Sequence, residues 1–271
     1  MSLQPLIKRL EEELADQYGW ASTAQSRGKL IEVVESKASR LQIAADEYCQ
    51  IAATSQSEML ALVEEAASGE TYFFREPHQF GLLRQLIAPG ILEKIPSGDV
   101  LRIWSAACST GEEAYSLAIT FDALCTDKTS RRIEILATDV RNRALQVASE
   151  GHYSRASLKE VSEDEMQRYF SEAGSDQFSV SPSLRRRVTF RRVNLLDQMF
   201  WKRMGGRFDL VVCTNLLSYL HGSAARQMVN RLVRSLRQGG HLMVAPNEFP
   251  FVENANLRPC KDAPTFFFRA A

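Results

Sequence analysis

The 271-residue chain is marked first by what it lacks. Its five cysteines, Cys49, Cys108, Cys125, Cys213 and Cys260, form no CxxC pair, and their number is odd. The expectation is reduced thiols in cytoplasm, with no disulfide frame and no zinc site. The four histidines are scattered without ligand spacing, so no metal is expected. No GxxxxGK[ST], no GxSxG and no internal repeat occurs. Net charge is also missing: Lys plus Arg and Asp plus Glu number 33 each. Bulk charge therefore favours neither nucleic acid nor an anionic membrane as a partner. No apolar run approaches the roughly 20 residues that span a bilayer, so no membrane insertion is expected. The opening MSLQPLIKRLEEEL is amphipathic and acidic, unlike a signal peptide.

With 45% hydrophobic residues the chain can bury a proper core, as one large domain or a large one plus a small one. Glycine and proline are nearly absent from the first 67 residues. There Leu3, Leu6, Ile7, Leu10 and Leu14 keep a helical spacing, as do Leu30, Val33, Val34, Lys37 and Leu41, and a third run covers 59–67. This predicts a helical domain over 1–68, with nothing in its pattern that points to chemistry. A linker and a helix ending at Pro89-Gly90 fill 69–98, and 99–271 carries the sheet.

The organising stretch is 101–119, LRIWSAACSTGEEAYSLAI. An apolar run to Ala107 predicts a buried strand. Ser109, Thr110 and Gly111 predict a tight loop, and Ala114, Leu117, Ala118 and Phe121 an amphipathic helix. Together they form the first βα turn of an open parallel sheet, whose ligands sit at strand carboxyl ends against helix N-termini. Glu112 and Glu113 open that helix and would repel a polyphosphate. A cation carrying hydroxyls suits the site better, and S-adenosylmethionine answers that description. A second strand, 132–139, ends in Asp139, placed either to accept from ribose hydroxyls or to cap the following helix; both roles are compatible. Residues 152–193 break the rhythm and predict an inserted antiparallel piece, with Arg185, Arg186, Arg187, Arg191 and Arg192 on a solvated strand face. The sheet resumes over 208–213, with Thr214 and Asn215 at the tip. A helix follows, ended by Gly239-Gly240, then strands over 241–245 and 265–268.

Six stretches in order resemble the CheR chemoreceptor glutamate methyltransferases: ETYFFRE at 70–76, RIWSAACSTGEEAYSLA at 102–118, LATDVRNRALQVASEGHY at 136–153, MQRYF at 166–170, VNLLD at 193–197 and FDLVVCTNLLSYL at 208–220. The resemblance implies an α/β fold: a Rossmann-like S-adenosylmethionine methyltransferase domain with a small antiparallel β insertion, preceded by a small all-helical N-terminal domain. It implies that Thr71 and Arg75 contact the cofactor from the linker, and that Glu113 holds its amino-acid part. By the same resemblance Asp139 binds the ribose, Asn194 and Leu195 flank the adenine, and Cys213, Thr214 and Asn215 line the pocket. Tyr219 would sit beside the transferred methyl, so Arg75 and Tyr219 are the catalytic candidates. Adjacent helical residues point about 100° apart, so Glu112 is expected to face away and cap its helix.

The implied partners are methyl-accepting cytoplasmic receptor helices, and a monomer is expected. This chain has Thr214-Asn215 where the family has Arg-Asn, and Ala245-Pro246-Asn247-Glu248 where it has a GHSE-like segment. The second helix, basic in the family, carries Glu32 and Glu35. The loop 171–176 keeps a single glycine and is shortened against the family's glycine-bearing peptide dock, so docking of a receptor tether peptide is not expected. Alternatives are a methyltransferase acting on another protein or a small acid, and a cofactor-binding adaptor with little turnover. A nicotinamide dehydrogenase is set aside, because GxGxxG and a Tyr-Lys pair are absent.

Overall fold

The structure, a computed structural model, describes residues 3–67, 69–125, 132–252, 257–261 and 263–270, with the backbone alone over 263–266. Ser68, at the expected boundary, lies outside the described residues. Four helices come first: α1 (Leu3–Tyr18), α2 (Ala24–Leu41), α3 (Ala45–Thr54) and α4 (Gln56–Ala66). They bury a core of their own that includes Leu10, Leu14, Leu30, Val34, Tyr48 and Leu62. The expected apolar stripes are present, except that Leu41 is exposed where α2 ends in the left-handed cap of Gln42.

The next helix does not stop at Pro89-Gly90. Helix α5 (Pro77–Leu82) runs through a π turn, Leu83–Ile87, into α6 (Ala88–Lys94). Pro89 falls in the first turn of α6, where its missing N–H is tolerated.

The sheet elements follow: β1 (Val100–Ala106), α7 (Glu112–Leu124), β2 (Arg132–Asp139), α8 (Asn142–Glu150), β3 (His152–Ser154), α9 (Glu163–Tyr169), β4 (Phe170–Glu172), β5 (Gln177–Val180), α10 (Pro182–Arg185), β6 (Val188–Arg192), α11 (Gln198–Trp201), β7 (Phe208–Cys213), α12 (Gly222–Ser235), β8 (Leu236–Val244), β9 (Leu257–Cys260) and β10 (Ala263–Ala270). Seven strands form one sheet in the order β6-β2-β1-β7-β8-β10-β9. The pairs β1–β2, β1–β7, β2–β6 and β7–β8 are parallel, and β10 runs antiparallel to both β8 and β9. Apolar layers cover both faces, with Ile103, Leu117 and Phe121 on one side and Trp104, Val211 and Leu232 on the other. Strands buried on two faces read as continuous apolar runs, which is why β1 and β7 were legible. Strand order reverses between β1 and β7, the place where such sheets open a crevice at their carboxyl ends.

Two expectations are corrected. The small antiparallel sheet is β3-β5-β4, but the arginine-bearing strand β6 is not part of it. It pairs in parallel with β2, from Ile135 opposite Val188 to Asp139 opposite Arg192, and forms an edge of the main sheet. Its Val188 is buried while Arg191 and Arg192 are exposed, so the solvated-face reading holds for those two alone: Arg185 and Arg186 lie at the end of α10, and Arg187, ahead of the strand, pairs with Asp122. Helix α12 ends at Ser235, and β8 runs through Gly239 and Gly240. A Cβ on Gly240 would stand 3.0 Å from the Phe208 carbonyl oxygen, at the point where the β7–β8 register shifts. These glycines make a bulge, not a helix stop. Among the described residues no helix is long and apolar enough to cross a membrane.

Candidate active site

A crevice of about 1250 Å³, its open mouth included, lies over the carboxyl ends of β1, β2 and β7. Its floor is the loop after β1. Ala107 and Ser109 take left-handed backbone angles, φ 67° and 53°, and Gly111 caps α7 at φ 97°. Gly111 has no room for a side chain, since a Cβ would meet the Ala148 Cβ at 2.8 Å and the Tyr153 hydroxyl at 2.9 Å. The Cys108 amide donates to the Thr138 carbonyl at 2.9 Å, fastening the loop to β2. Cys108 itself is buried, and burial foremost, with Asp139 and Glu113 nearby, pushes its thiol well up. It holds its proton and is no nucleophile.

Three acidic residues line this crevice: the exposed Glu70 and, nearer the strand ends, Glu113 and Asp139. Glu113 accepts from Ser105 Oγ at 2.6 Å and from Thr214 Oγ1. Burial raises its pKa to about 7; the two hydroxyl bonds work against that shift, Glu248 adds to it, and the charge of Arg75 opposes it. Asp139 accepts from the Ser109 amide at 2.8 Å and the Arg141 amide at 2.9 Å, and pairs with the Arg141 guanidinium. The cap of α8 is Arg141, not Asp139, although Asp139 holds the turn that leads into it. Glu112 faces away from the crevice, as its position on the helix requires, but it is buried and accepts from Thr110 Oγ1 at 2.6 Å.

The linker divides its side chains. Phe73 stacks edge-on against Tyr153 and Phe170 in the core, and Phe74 against Phe80. Thr71, Tyr72 and Arg75 line the crevice instead, with Arg75 Nη1 donating to the Glu70 carbonyl. The opposite wall is the segment after β7, bearing Thr214, Asn215 and Tyr219, the last half-exposed in a short 3-10 turn, Leu217–Tyr219. Asn194 and Leu195 close the end beyond β6; Asn194 Nδ2 donates to the Gln17 carbonyl at 2.8 Å.

Of the expected residues, Thr71, Arg75, Glu113, Asp139, Asn194, Leu195, Thr214, Asn215 and Tyr219 are brought to this one crevice. Cys213 is not. It is wholly buried with Trp104 and Leu242 in the layer beneath, because the strand has not yet ended there.

Sequence reasoning missed the roof. Tyr18, Trp20, Val63 and Ala67 of the helical region line the crevice. The Ala21 amide donates to the Tyr219 carbonyl at 2.8 Å, and the His221 amide to the Gly19 carbonyl at 2.9 Å. It also missed Glu248, wholly buried, whose carboxylate accepts from the amides of Asn215, Ser218 and Ala245. A lone acid after an apolar strand was the available signal.

The profile of the family described as CheR methyltransferase, SAM binding domain, matches residues 69–265. The chain belongs to the CheR methyltransferase family. It is an S-adenosylmethionine-dependent methyltransferase. Chemotaxis protein methyltransferase 1 of Pseudomonas aeruginosa is 35% identical over 193 residues, 69% of this chain and 68% of that protein. A probable chemotaxis protein methyltransferase of Rhizobium etli is 34% identical over 210 residues, 74% of this chain and 76% of that one. The probable biofilm formation methyltransferase WspC of Pseudomonas aeruginosa is 34% identical over 229 residues, 83% of this chain and 52% of that protein.

The residues of this methyltransferase fit the cofactor's chemistry. S-adenosylmethionine offers an ammonium, a carboxylate, a ribose diol and an apolar adenine face. The crevice offers the carboxylates of Asp139, buried, and Glu113, half-buried, the cation of Arg75, and apolar walls from Val140, Leu195, Leu196 and Met228. It is also lined by Trp20, whose buried indole N–H has no partner among the described residues.

Proposed function

We propose that this methyltransferase esterifies glutamate side chains of a chemoreceptor-type signalling protein. The observation that carries the reading is the crevice itself, which sets the buried Asp139 and the half-buried Glu113 carboxylates in one site with Arg75 and the half-exposed Tyr219. Asp139 would take the ribose hydroxyls and Glu113 the ammonium, with Thr71, Thr214 and Asn215 beside them. Asn194 and Leu195 would hold the adenine. The cofactor supplies a methyl group on a sulfonium sulfur, open to direct displacement.

A substrate glutamate is already a carboxylate at neutral pH, so no strong base is needed. The residues must desolvate it and aim one oxygen, mainly a task of orientation. Arg75 draws the acceptor carboxylate in. Its Nη1 is already held by the Glu70 carbonyl, which leaves a positioning contact and not a full pair that would blunt the nucleophile. The Tyr219 hydroxyl fixes the geometry at the mouth. Tyr219→Phe should lower single-turnover methyl transfer about tenfold or more while product affinity stays within about twofold. Equal turnover would leave the ring as packing only.

The reading as a whole is tested on a purified receptor signalling fragment. Exchanging its acceptor glutamates for glutamine should abolish label uptake from methyl-labelled cofactor. Undiminished uptake would point to another acceptor. A second setting, biofilm formation, is favoured by the 229-residue match to the probable biofilm formation methyltransferase. Receptors of both systems belong in the assay.

Reach to the substrate is proposed to be independent of a tether peptide. The connection from β4 to β5 is a four-residue turn, closed by the Ala173 amide donating to the Gln177 carbonyl at 2.8 Å. Titration of a free tether peptide should give no saturable binding. Low-micromolar binding mapped to the groove of Met166, Phe170 and Phe178 beside β4 would overturn this.

A further inference from the structure

The carboxylate of Asp139 carries a full set of donors. Oδ1 accepts from the Arg141 amide at 2.9 Å and from Arg141 Nε at 3.0 Å. Oδ2 accepts from the Ser109 amide at 2.8 Å and from Arg141 Nη2 at 3.3 Å. An ionised carboxylate has about four lone-pair sites, so none is left for a ligand. Two of the donors are backbone amides fixed by the loop after β1 and the turn after β2. The other two belong to one side chain. A ribose diol also brings two O–H donors.

We propose that Arg141 sets cofactor affinity: its guanidinium occupies the two places on Asp139 that the ribose hydroxyls take, and it swings away toward Glu64 of α4 when they arrive. The proposal rests on the assignment of Asp139 to the ribose. The displaced group has somewhere to go. Arg141 lines the crevice, and its Nη1 already lies 3.4 Å from the Ala67 carbonyl just past the end of α4. Glu64, largely buried on α4, accepts from the Asn142 amide at 2.7 Å. Among the described residues its other oxygen is met by Arg143 Nε at 3.8 Å, from a side chain that is 77% exposed. A guanidinium leaving Asp139 would give that largely buried carboxylate a closer cation. Ribose binding is thereby linked to the helix that roofs the site. In the empty enzyme Arg141 keeps Asp139 from standing as an uncompensated buried charge.

The test is calorimetric titration of S-adenosylhomocysteine, and of its 2′,3′-dideoxy analogue, into the full chain. Arg141→Met keeps the apolar stem and removes the competing donors. It should bind S-adenosylhomocysteine about tenfold tighter than the unaltered enzyme, roughly the worth of one charged hydrogen bond, and the dideoxy analogue no tighter. Should Arg141→Met fail to fold, Arg141→Lys, with one donor in place of two, should show a smaller gain of about threefold. Glu64→Gln should weaken binding about threefold in the unaltered background and leave Arg141→Met unchanged. Asp139→Asn should weaken binding in either background. Equal or weaker binding by Arg141→Met, with Asp139→Asn still weak, would overturn the proposal and leave Arg141 a mere support for Asp139. Unchanged binding by Asp139→Asn would overturn the ribose assignment itself.

Discussion

Glu248→Ala should lower methyl transfer at least about a hundredfold and cost about 3 kcal/mol or more of folding stability. That carboxylate sits fully buried and accepts from the amides of Asn215 at 3.0 Å, Ser218 at 3.2 Å and Ala245 at 3.2 Å. The amides of Asn215 and Ser218 belong to the turn that carries the chain from β7 to Tyr219, where Asn215 holds a left-handed φ of 59°, and that of Ala245 follows β8. Removing the carboxylate leaves three donors unpaired, the buried Ala245 amide and the half-buried bonds to Asn215 and Ser218, and a buried one alone is worth about 1–3 kcal/mol. The turn would relax toward water, and Thr214 and Tyr219 would leave their places on the wall together. Glu248→Gln keeps one acceptor oxygen and should fall between the two. Denaturant midpoints and single-turnover rates, taken at one temperature, separate lost folding from lost positioning. Turnover equal to that of the unaltered enzyme would remove Glu248 from the account.

Product affinity should fall as pH drops below about 7, by up to about tenfold per unit, and level off above it. Burial raises the Glu113 pKa to about 7, so the empty site is largely protonated in mild acid. An ammonium beside Glu113 favours the charged form, so binding expels that proton and competes with it. Folding carries the opposite sign. The folded pKa lies above the unfolded one, so Glu113 favours the folded state fully below about 4.5, and that contribution is lost as pH rises through about 7. Bound product should restore part of it at pH 8. Glu113→Gln should flatten both slopes and weaken binding at pH 8 about tenfold to a hundredfold, the worth of a lost charged hydrogen bond. Calorimetry at pH 6, 7 and 8 checks this, and an unchanged slope in Glu113→Gln would assign the proton elsewhere.

What the sequence showed and hid follows from the range of the contacts involved. The turn from β1 into α7 and the acid at the tip of β2 were legible because both are local. An apolar run, a small-residue loop and a helical stripe lie within twenty residues of one another. Cys213 was misplaced because a strand's last buried residue and first exposed one are neighbours, and only packing against Trp104 and Leu242 tells them apart. The pairing of β6 with β2 joins residues about fifty apart, and no pattern in VTFRR names its partner. The roof was hidden for the same reason. Tyr18 and Trp20 read as ordinary helix and turn residues until the Trp20–Leu220 bridge brings them over the crevice. Glu248 and Arg141 gain their meaning from the amides and the carboxylate that they meet, and neither contact repeats with a helical or strand period.

The most direct test uses methyl-labelled S-adenosylmethionine, the enzyme and membranes bearing the host's receptors. Label should appear on receptor-sized bands and leave as volatile methanol under mild alkali, as a glutamate methyl ester must, and Asp139→Asn should reduce its uptake severalfold at limiting cofactor. Label that survives alkali would contradict the account, since it would place the methyl group on nitrogen or carbon and not on a carboxylate.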